Sequence, residues 1–529
     1  MSQGEKAPRI VIVGAGIGGL AFAIALRRKF PGFNNFVIYE KAGDIGGTWR
    51  DNTYPGCSSD IPVHFYSLST DLNPNWDRTH AGQPEMNEYL RALAVKYRLL
   101  PHIVFNTLVT SATWDPAENK YHITTKTVAP GEDRPWWRKE DLTGVKEVSS
   151  DENGGRDVAH IFISAIGFLE LIRYPDITGL NSFKGHMFHS GSWNHNVDLQ
   201  GKRVAVIGNG SSAIQLIPVI SKDPSVNVTN FCRTPNWFFP PIRHNYFQFQ
   251  VWMCKYLPFY MRVYRWWNFW KLELLYALVF ANANVRGFTA SVLRAWVRYA
   301  APEKYHNNLI PSYPSGCKRL VLDAGYLSCL HRPNVDLNWD GVDGISEQGI
   351  ITKKGDQLPF DVIVLATGYI SDEYPLPVTG THETIQEYFN RKEGLTAYLG
   401  TAVEYMLNLI KPVLSGEIAS AEVTNTATDQ YNDKIQSRIK DSVFVRCRSW
   451  YRRNRDAKVT VVFPGPALLF WWWLRKVDWS HYRVSPVDSE TWKRKMQTRK
   501  ATGTVLVATC LGVIAAFFGF RDLRTLKTW

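Results

Sequence analysis

Residues 9–29 read RIVIVGAGIGGLAFAIALRRK. Ile10 to Val13 is a short continuous apolar run, as in a buried parallel strand, and it ends in glycines. Leu20 to Lys29 carries apolar residues at helical spacing, and Phe36 to Tyr39 forms a second apolar run that ends at Glu40. The pattern is β-α-β. In the turn, Gly14 permits the tight bend, Gly16 lets backbone approach a pyrophosphate, and Gly19 lets helix and strand pack closely. The start of the helix offers free N–H groups and a partial positive charge to phosphates. Glu40 follows Gly19 by 21 residues, where a carboxylate can accept from both ribose hydroxyls and repels a 2′-phosphate. FAD or NAD fits this site and NADP does not; the alternative is a tight turn with no ligand.

A second unit begins at Arg203. The strand Val204 to Ile207 meets Gly208-Asn209-Gly210-Ser211-Ser212-Ala213, a helix runs through Ile220, and Val226 to Phe231 forms the next strand. That strand is followed by Arg233-Thr234 rather than by an acid. A guanidinium there can fork onto a phosphate, so NADPH is expected; otherwise Arg233 is a solvated charge. The fold class read from both units is α/β, with two Rossmann-like dinucleotide-binding domains. Two sites of opposite charge preference suggest hydride transfer from NADPH to a flavin. No closely spaced redox cysteine pair is present to take the electrons onward, which leaves molecular oxygen as the acceptor.

The chain of 529 residues is too long for one core, and its 61 Lys and Arg against 48 Asp and Glu give a net charge of +13. The basic residues gather near the C-terminus, which points to a membrane rather than nucleic acid. The seven cysteines are irregularly spaced without C-x-x-C, so a disulfide framework or zinc site is not expected and a reducing compartment fits. No secretory signal is expected, because the first apolar run is too short. Pro130 to Asp157 is polar and reads as a surface insertion or long hairpin. Trp252 to Phe280 suits helices at a domain interface or membrane surface, and Phe463 to Leu474 suits either core packing or a substrate wall.

Phe183-Lys184-Gly185-His186-Met187-Phe188-His189-Ser190-Gly191-Ser192-Trp193 resembles the F-x-G-x-x-x-H-x-x-x-W fingerprint of type I Baeyer–Villiger monooxygenases, carried by Phe183, Gly185, His189 and Trp193. Asn194 stands where the family usually has Pro or Asp. The related N- and S-oxygenating enzymes usually end this motif in Tyr or Phe. Gly46 to Arg50 and Tyr54-Pro55-Gly56 resemble the family's flavin-facing loop, and Asp361 to Tyr369 resembles the motif that returns the chain to the FAD domain. Ser449-Trp450-Tyr451 and Phe463-Pro464-Gly465 resemble the C-terminal part of fungal members. The resemblance covers residues 8–485.

It implies a monooxygenase using FAD and NADPH, with O2 and a small hydrophobic substrate. Thr48, Trp49, Asp60, Tyr66 and Val109 join Gly14, Gly16, Gly19 and Glu40 as FAD residues. Lys318 joins Gly208, Gly210, Ser211, Ser212, Arg233 and Thr234 as NADP residues. The resemblance makes Arg319 and Asp60 the catalytic pair: Arg319 stabilises negative charge developing where oxygen is activated, and Asp60 orients it. A hydrophobic ketone then gives an ester or lactone, in fungal secondary metabolism. The alternatives are N- or S-hydroxylation and an inactive nucleotide-binding remnant. The last arises because the chain passes from Tyr398–Val403 directly to Glu404, where the family inserts a flavin-facing segment. Such shortening is expected to uncover core surface and weaken or abolish activity.

Ala501 to Phe520 holds 20 residues without a charge, enough to span about 30 Å of hydrocarbon. Lys493, Arg494, Lys495, Arg499 and Lys500 precede it, against Arg521, Arg524 and Lys527 after it. The expectation is a single-pass C-terminal transmembrane helix with a cytosolic body, at the endoplasmic reticulum. The expected domains are 1–160 (FAD, first part), 161–355 (NADP, with a helical insertion), 356–485 (FAD, second part, shortened near 403–404) and 486–529 (basic linker and anchor). The sequence leaves the oligomeric state open.

Overall fold

A computed structural model describes residues 7–129, 154–281, 283–370, 373–392, 399–447, 449, 451–452, 459 and 462–498. The chain divides into two compact units, Met1–Leu407 with Asp429–Lys476, and Asn408–Thr428 with Val477–Trp529. The first unit holds both nucleotide-type sheets. In the second, Ile418–Val423 pairs antiparallel with Tyr482–Pro486, and Lys495 pairs with Glu417.

The first sheet is parallel, in the order Ile103–Val104, Phe36–Tyr39, Ile10–Val13, Ile161–Ser164. Alternation along the central strand splits its side chains between two layers. Ile12 faces the helix Ile17–Lys29, where a Cβ at Gly19 would meet Ile12 Cγ2 at 3.4 Å. Val11 and Val13 pack with Val109, Ala112 and Ile123 of a mixed sheet, in which Thr107–Asp115, Lys120–Thr127 and Gly154–Ala159 run antiparallel and Val378–Thr379 pairs parallel with the first of them. The last two strands pair with each other and flank the polar stretch expected to be a hairpin; 130–153 lie outside the described residues.

The second sheet is also parallel, in the order Val335–Asn338, Asn227–Phe231, Arg203–Ile207, Val362–Leu365, His186–His189. Val204, Val206, Val362 and Val364 pack with Ile214 and Ile217 of the helix Ser211–Ile220. Ala205, Ile207, Ile363 and Leu365 pack on the opposite side with Ile345, Ile350 and Phe360, beside a three-stranded antiparallel sheet over Val342–Pro359. Helices Gln248–Tyr256, Tyr260–Tyr276 and Ala283–Ala300 lie in the chain between the strands Asn227–Phe231 and Val335–Asn338 of this sheet. Ile161–Ser164 belongs to the first sheet and Val362–Leu365 to the second, so each sheet runs a few residues past the boundaries at 160 and 355. The chain crosses between sheets at Leu171–Ile172 and Tyr369–Ile370, and these two crossings pair with each other.

Two expectations are corrected. Among the described residues, no helix is long and apolar enough to cross a membrane, so the C-terminal transmembrane helix, the membrane anchor and the localisation built on it are withdrawn. The segment 501–520 that suggested them lies outside the described residues; lack of charge alone does not establish a spanning helix. Cysteine spacing also misled, because Cys317 is bonded to Cys447, 130 residues away. Spacing along the chain says nothing about a pair that only folding brings together.

Candidate functional site

The first turn is built as its glycines require. Gly14 has φ +98°, and a Cβ there would sit 2.6 Å from the Ala165 carbonyl oxygen. At Gly19 a Cβ would lie 1.9 Å from the Gly14 carbonyl oxygen. The helix that follows has no side-chain cap and no acid in its first turn, so its leading N–H groups remain for an anion. Glu40 is 6% exposed; its carboxylate accepts from the Ala15 amide at 2.6 Å and the Ala42 amide at 2.9 Å. Burial raises its pKa to about 7, against the pull of those amides. It fastens the glycine turn and also faces the cavity.

Trp49 donates from Nε1 to the Tyr66 hydroxyl at 3.1 Å, which joins the Gly46–Arg50 loop to the short helix Val63–Tyr66. Arg265 Nη1 donates to the carbonyls of His64, Phe65 and Ser67 at 2.7, 2.8 and 2.8 Å, satisfying the end of that helix. Sequence reasoning missed Arg265, because its partners are backbone atoms some 200 residues away.

The second turn repeats the design. Gly208 has φ +109° and faces the Ala366 carbonyl oxygen, 2.5 Å from where a Cβ would stand. The helix after Gly210 again lacks a side-chain cap and a first-turn acid. Asn209 Nδ2 donates to the Thr234 carbonyl at 2.8 Å. Lys318 stands 4.9 Å over the Tyr313 ring, and its pKa is lowered by burial and by the nearby Arg233 guanidinium. Among the described residues no carboxylate pairs with either cation, which suits a dianionic 2′-phosphate. The residues present thus fit both groups: two glycine turns for pyrophosphates, an acid at one ribose position and two cations at the other.

Asp60 lies between the turns. Its Oδ2 accepts from Arg319 Nη2 at 3.0 Å. Its Oδ1 accepts from Gln215 Nε2 at 2.9 Å and Arg243 Nη2 at 3.0 Å, two partners the sequence did not reveal. Gln215 Oε1 in turn accepts from the Tyr54 hydroxyl at 2.9 Å and the Ser58 amide at 3.2 Å.

These groups line one cavity of about 3600 Å³. Gly14, Gly16, Glu40, Thr48, Trp49, Asp60, Tyr66 and Val109 line it from the first sheet's side. Gly208, Gly210, Ser211, Ser212, Arg233, Thr234, Lys318 and Arg319 line it from the second. Gly19 works beneath the turn and does not line it. Nor do Phe183, Gly185, His189 and Trp193. Trp193 is 6% exposed in the second sheet's core, edge-on to Phe188 with ring centroids 4.9 Å apart. His189 is 1% exposed; its Nδ1 accepts from the Gly191 amide, and burial lowers its pKa to about 4. Trp193 of this motif packs in the core of the second sheet.

The Phe463 to Leu474 stretch divides between its two readings. Phe463, Leu468 and Trp471 reach the cavity, while Phe470 and Trp473 pack with Ile435, Phe444 and Tyr451. Trp266, Phe269, Tyr276 and Phe280 add to the aromatic wall. At the shortened point, Leu399–Leu414 is a single helix. Val403 is 4% exposed and Leu407 0%, and Glu404 pairs with Lys29 at 2.9 Å.

Residues 12–81 match the family described as NAD(P)-binding Rossmann-like domain, and residues 139–264 the flavin-binding monooxygenase-like family. A Baeyer–Villiger monooxygenase of Streptomyces coelicolor is 32% identical over 515 residues, covering 90% of this chain and 92% of that protein. The FAD-binding monooxygenase ktnD of Aspergillus niger is 28% identical, covering 92% and 84%. Among solved structures, cyclohexanone monooxygenase in a closed form aligns with a TM-score of 0.76 at 22% identity, covering 91% of this chain and 99% of that one. Oxidized steroid monooxygenase bound to NADP aligns at 0.75 and 23% identity, covering 91% and 100%. These structural likenesses show the fold.

Proposed function

This chain belongs to the Baeyer–Villiger monooxygenase family, and from that premise we propose how its own residues divide the work. It is an FAD-dependent, NADPH-consuming monooxygenase that oxidises a ketone to an ester or lactone. FAD, when bound, supplies the oxygen-activating chemistry and NADPH the hydride.

Glu40 and the Gly14–Gly19 turn hold the unphosphorylated dinucleotide; Arg233 and Lys318 take the 2′-phosphate of the other. Arg319 places a cation where negative charge develops, and Asp60 holds it ready. The aromatic wall from Trp266 to Phe280 and from Phe463 to Trp471 selects a hydrophobic ketone and excludes water. One observation carries this assignment: two glycine turns of opposite charge preference open into one cavity with the Asp60–Arg319 pair between them. The test is to purify the protein with FAD and assay NADPH oxidation with a bulky ketone and a matching thioether. Ester from the ketone supports the reading; sulfoxide from the thioether with no ester overturns it.

A further inference from the structure

The two oxygens of Asp60 are held differently. Oδ2 has one partner, Arg319, whose side chain is 48% exposed and lines the cavity. Oδ1 has two partners, Gln215 and Arg243, both anchored elsewhere. Arg243 does not line the cavity; it stands behind Asp60, with a side chain 18% exposed and Nη1 donating to Ser58 Oγ at 2.7 Å. Its backbone neighbourhood is fixed as well. The His244 carbonyl accepts from the Thr79 amide at 3.0 Å, and the Tyr246 amide donates to the Asp77 carbonyl at 2.9 Å.

A carboxylate with a single cation holds that cation tightly, because separating them strands a poorly solvated charge. A carboxylate shared by two cations can release one and remain paired. We propose that Arg243 is a positioning residue that keeps Asp60 paired and in place, so that Arg319 is free to leave it for the cavity. The inference rests on the reading that Arg319 serves the oxygen-activating centre. Arg243 touches no reacting atom and acts only through Asp60. Its burial lowers its pKa, and the Asp60 carboxylate is the strongest influence opposing that shift.

The test follows the reactivity of Arg319 in the full-length protein. Phenylglyoxal modifies free guanidinium groups, and peptide mass spectrometry reads the rate at Arg319. In Arg243→Met, Asp60 keeps Arg319 as its only cation, and the Arg319 modification rate falls about tenfold, with the ester formed per NADPH falling alongside. In Arg243→Lys, which keeps the charge but cannot also reach Ser58, the rate falls only about two- to threefold. On an Asp60→Asn background, removing Arg243 has no further effect on Arg319, since the two act through the same carboxylate. An unchanged or raised Arg319 rate in both Arg243 variants overturns the proposal, as does an additive effect in the double variant. If Arg243→Met does not fold, the Lys variant and the Asn background decide it. Failure of the functional reading shows separately, as wild-type protein that binds no flavin or makes no ester.

Discussion

Cys317 is bonded to Cys447, and the next two residues after Cys317 are Lys318 and Arg319, two of the cations that line the cavity. The link fastens the loop carrying both cations to the segment bearing Ser449, Tyr451 and Arg452, which line the same cavity.

Denatured protein kept from reductant should therefore titrate two fewer thiols than the same protein after reduction. Cys447→Ser should lower stability by roughly 2–5 kcal/mol, given the long loop the bond closes, read from urea unfolding. Equal thiol counts would show that the pair is reduced in solution.

Arg319→Ala removes the cavity-lining cation paired with Asp60, to which the proposed function gives the oxygen chemistry, and it touches neither dinucleotide turn. NADPH oxidation should persist, and ester formation should fall by about 10²-fold or more, measured as product per NADPH consumed. Normal ester yield from this variant rules out the role given to Arg319.

Gly208→Ala forces a Cβ to within 2.5 Å of the Ala366 carbonyl oxygen at a φ of +109°. The disturbance is confined to the second turn, so purified protein should keep its yellow flavin. Its KM for NADPH should rise by about tenfold or more. Steady-state kinetics at fixed ketone, beside the visible spectrum, separates the two sites.

Glu40 gives a pH signature in the flavin-free protein. Its folded pKa, about 7, lies above the ordinary 4.5, so between these values the folded state binds the proton and the unfolded state does not. The stability this contributes is fully present below about pH 4.5 and is lost as pH rises through about 7. Relative to Glu40→Gln, wild type should lose on the order of 2–3 kcal/mol between pH 4.5 and 7.5. Parallel unfolding curves for the two proteins across that range would contradict the burial-driven shift.

Trp193 belongs to a core, not to the cavity wall. Trp193→Ala should destabilise the protein by about 3–5 kcal/mol. Ester formed per NADPH, measured on the molecules that remain folded, should stay near the wild-type value. A large drop in that ratio at unchanged stability would instead place Trp193 in the chemistry.

Both dinucleotide turns were legible because their glycines answer local demands: a positive φ at Gly14 and Gly208, and contact below van der Waals distance at Gly19. Glu40 and Arg233 were legible because strand ends fall at a fixed distance from those turns. Asp60 and Arg319 were found through motif resemblance, since nothing local marks two residues 259 apart as partners. Arg243, Gln215 and Arg265 stayed hidden for the same reason without a motif to reveal them; their meaning lies in contacts across 155 to 201 residues. The His189–Trp193 motif drew attention to a site, but its signal was that of a tightly built strand end. The charge-free segment near the C-terminus misled, because hydropathy reports composition and not placement.

The paired crossings at Leu171–Ile172 and Tyr369–Ile370 have a mechanical meaning. Everything between them, the whole second sheet with its helices, leaves and rejoins the first sheet's side of the chain at one place. The two covalent connections brace each other there, so a substitution that breaks the pairing loosens the way out and the way back together.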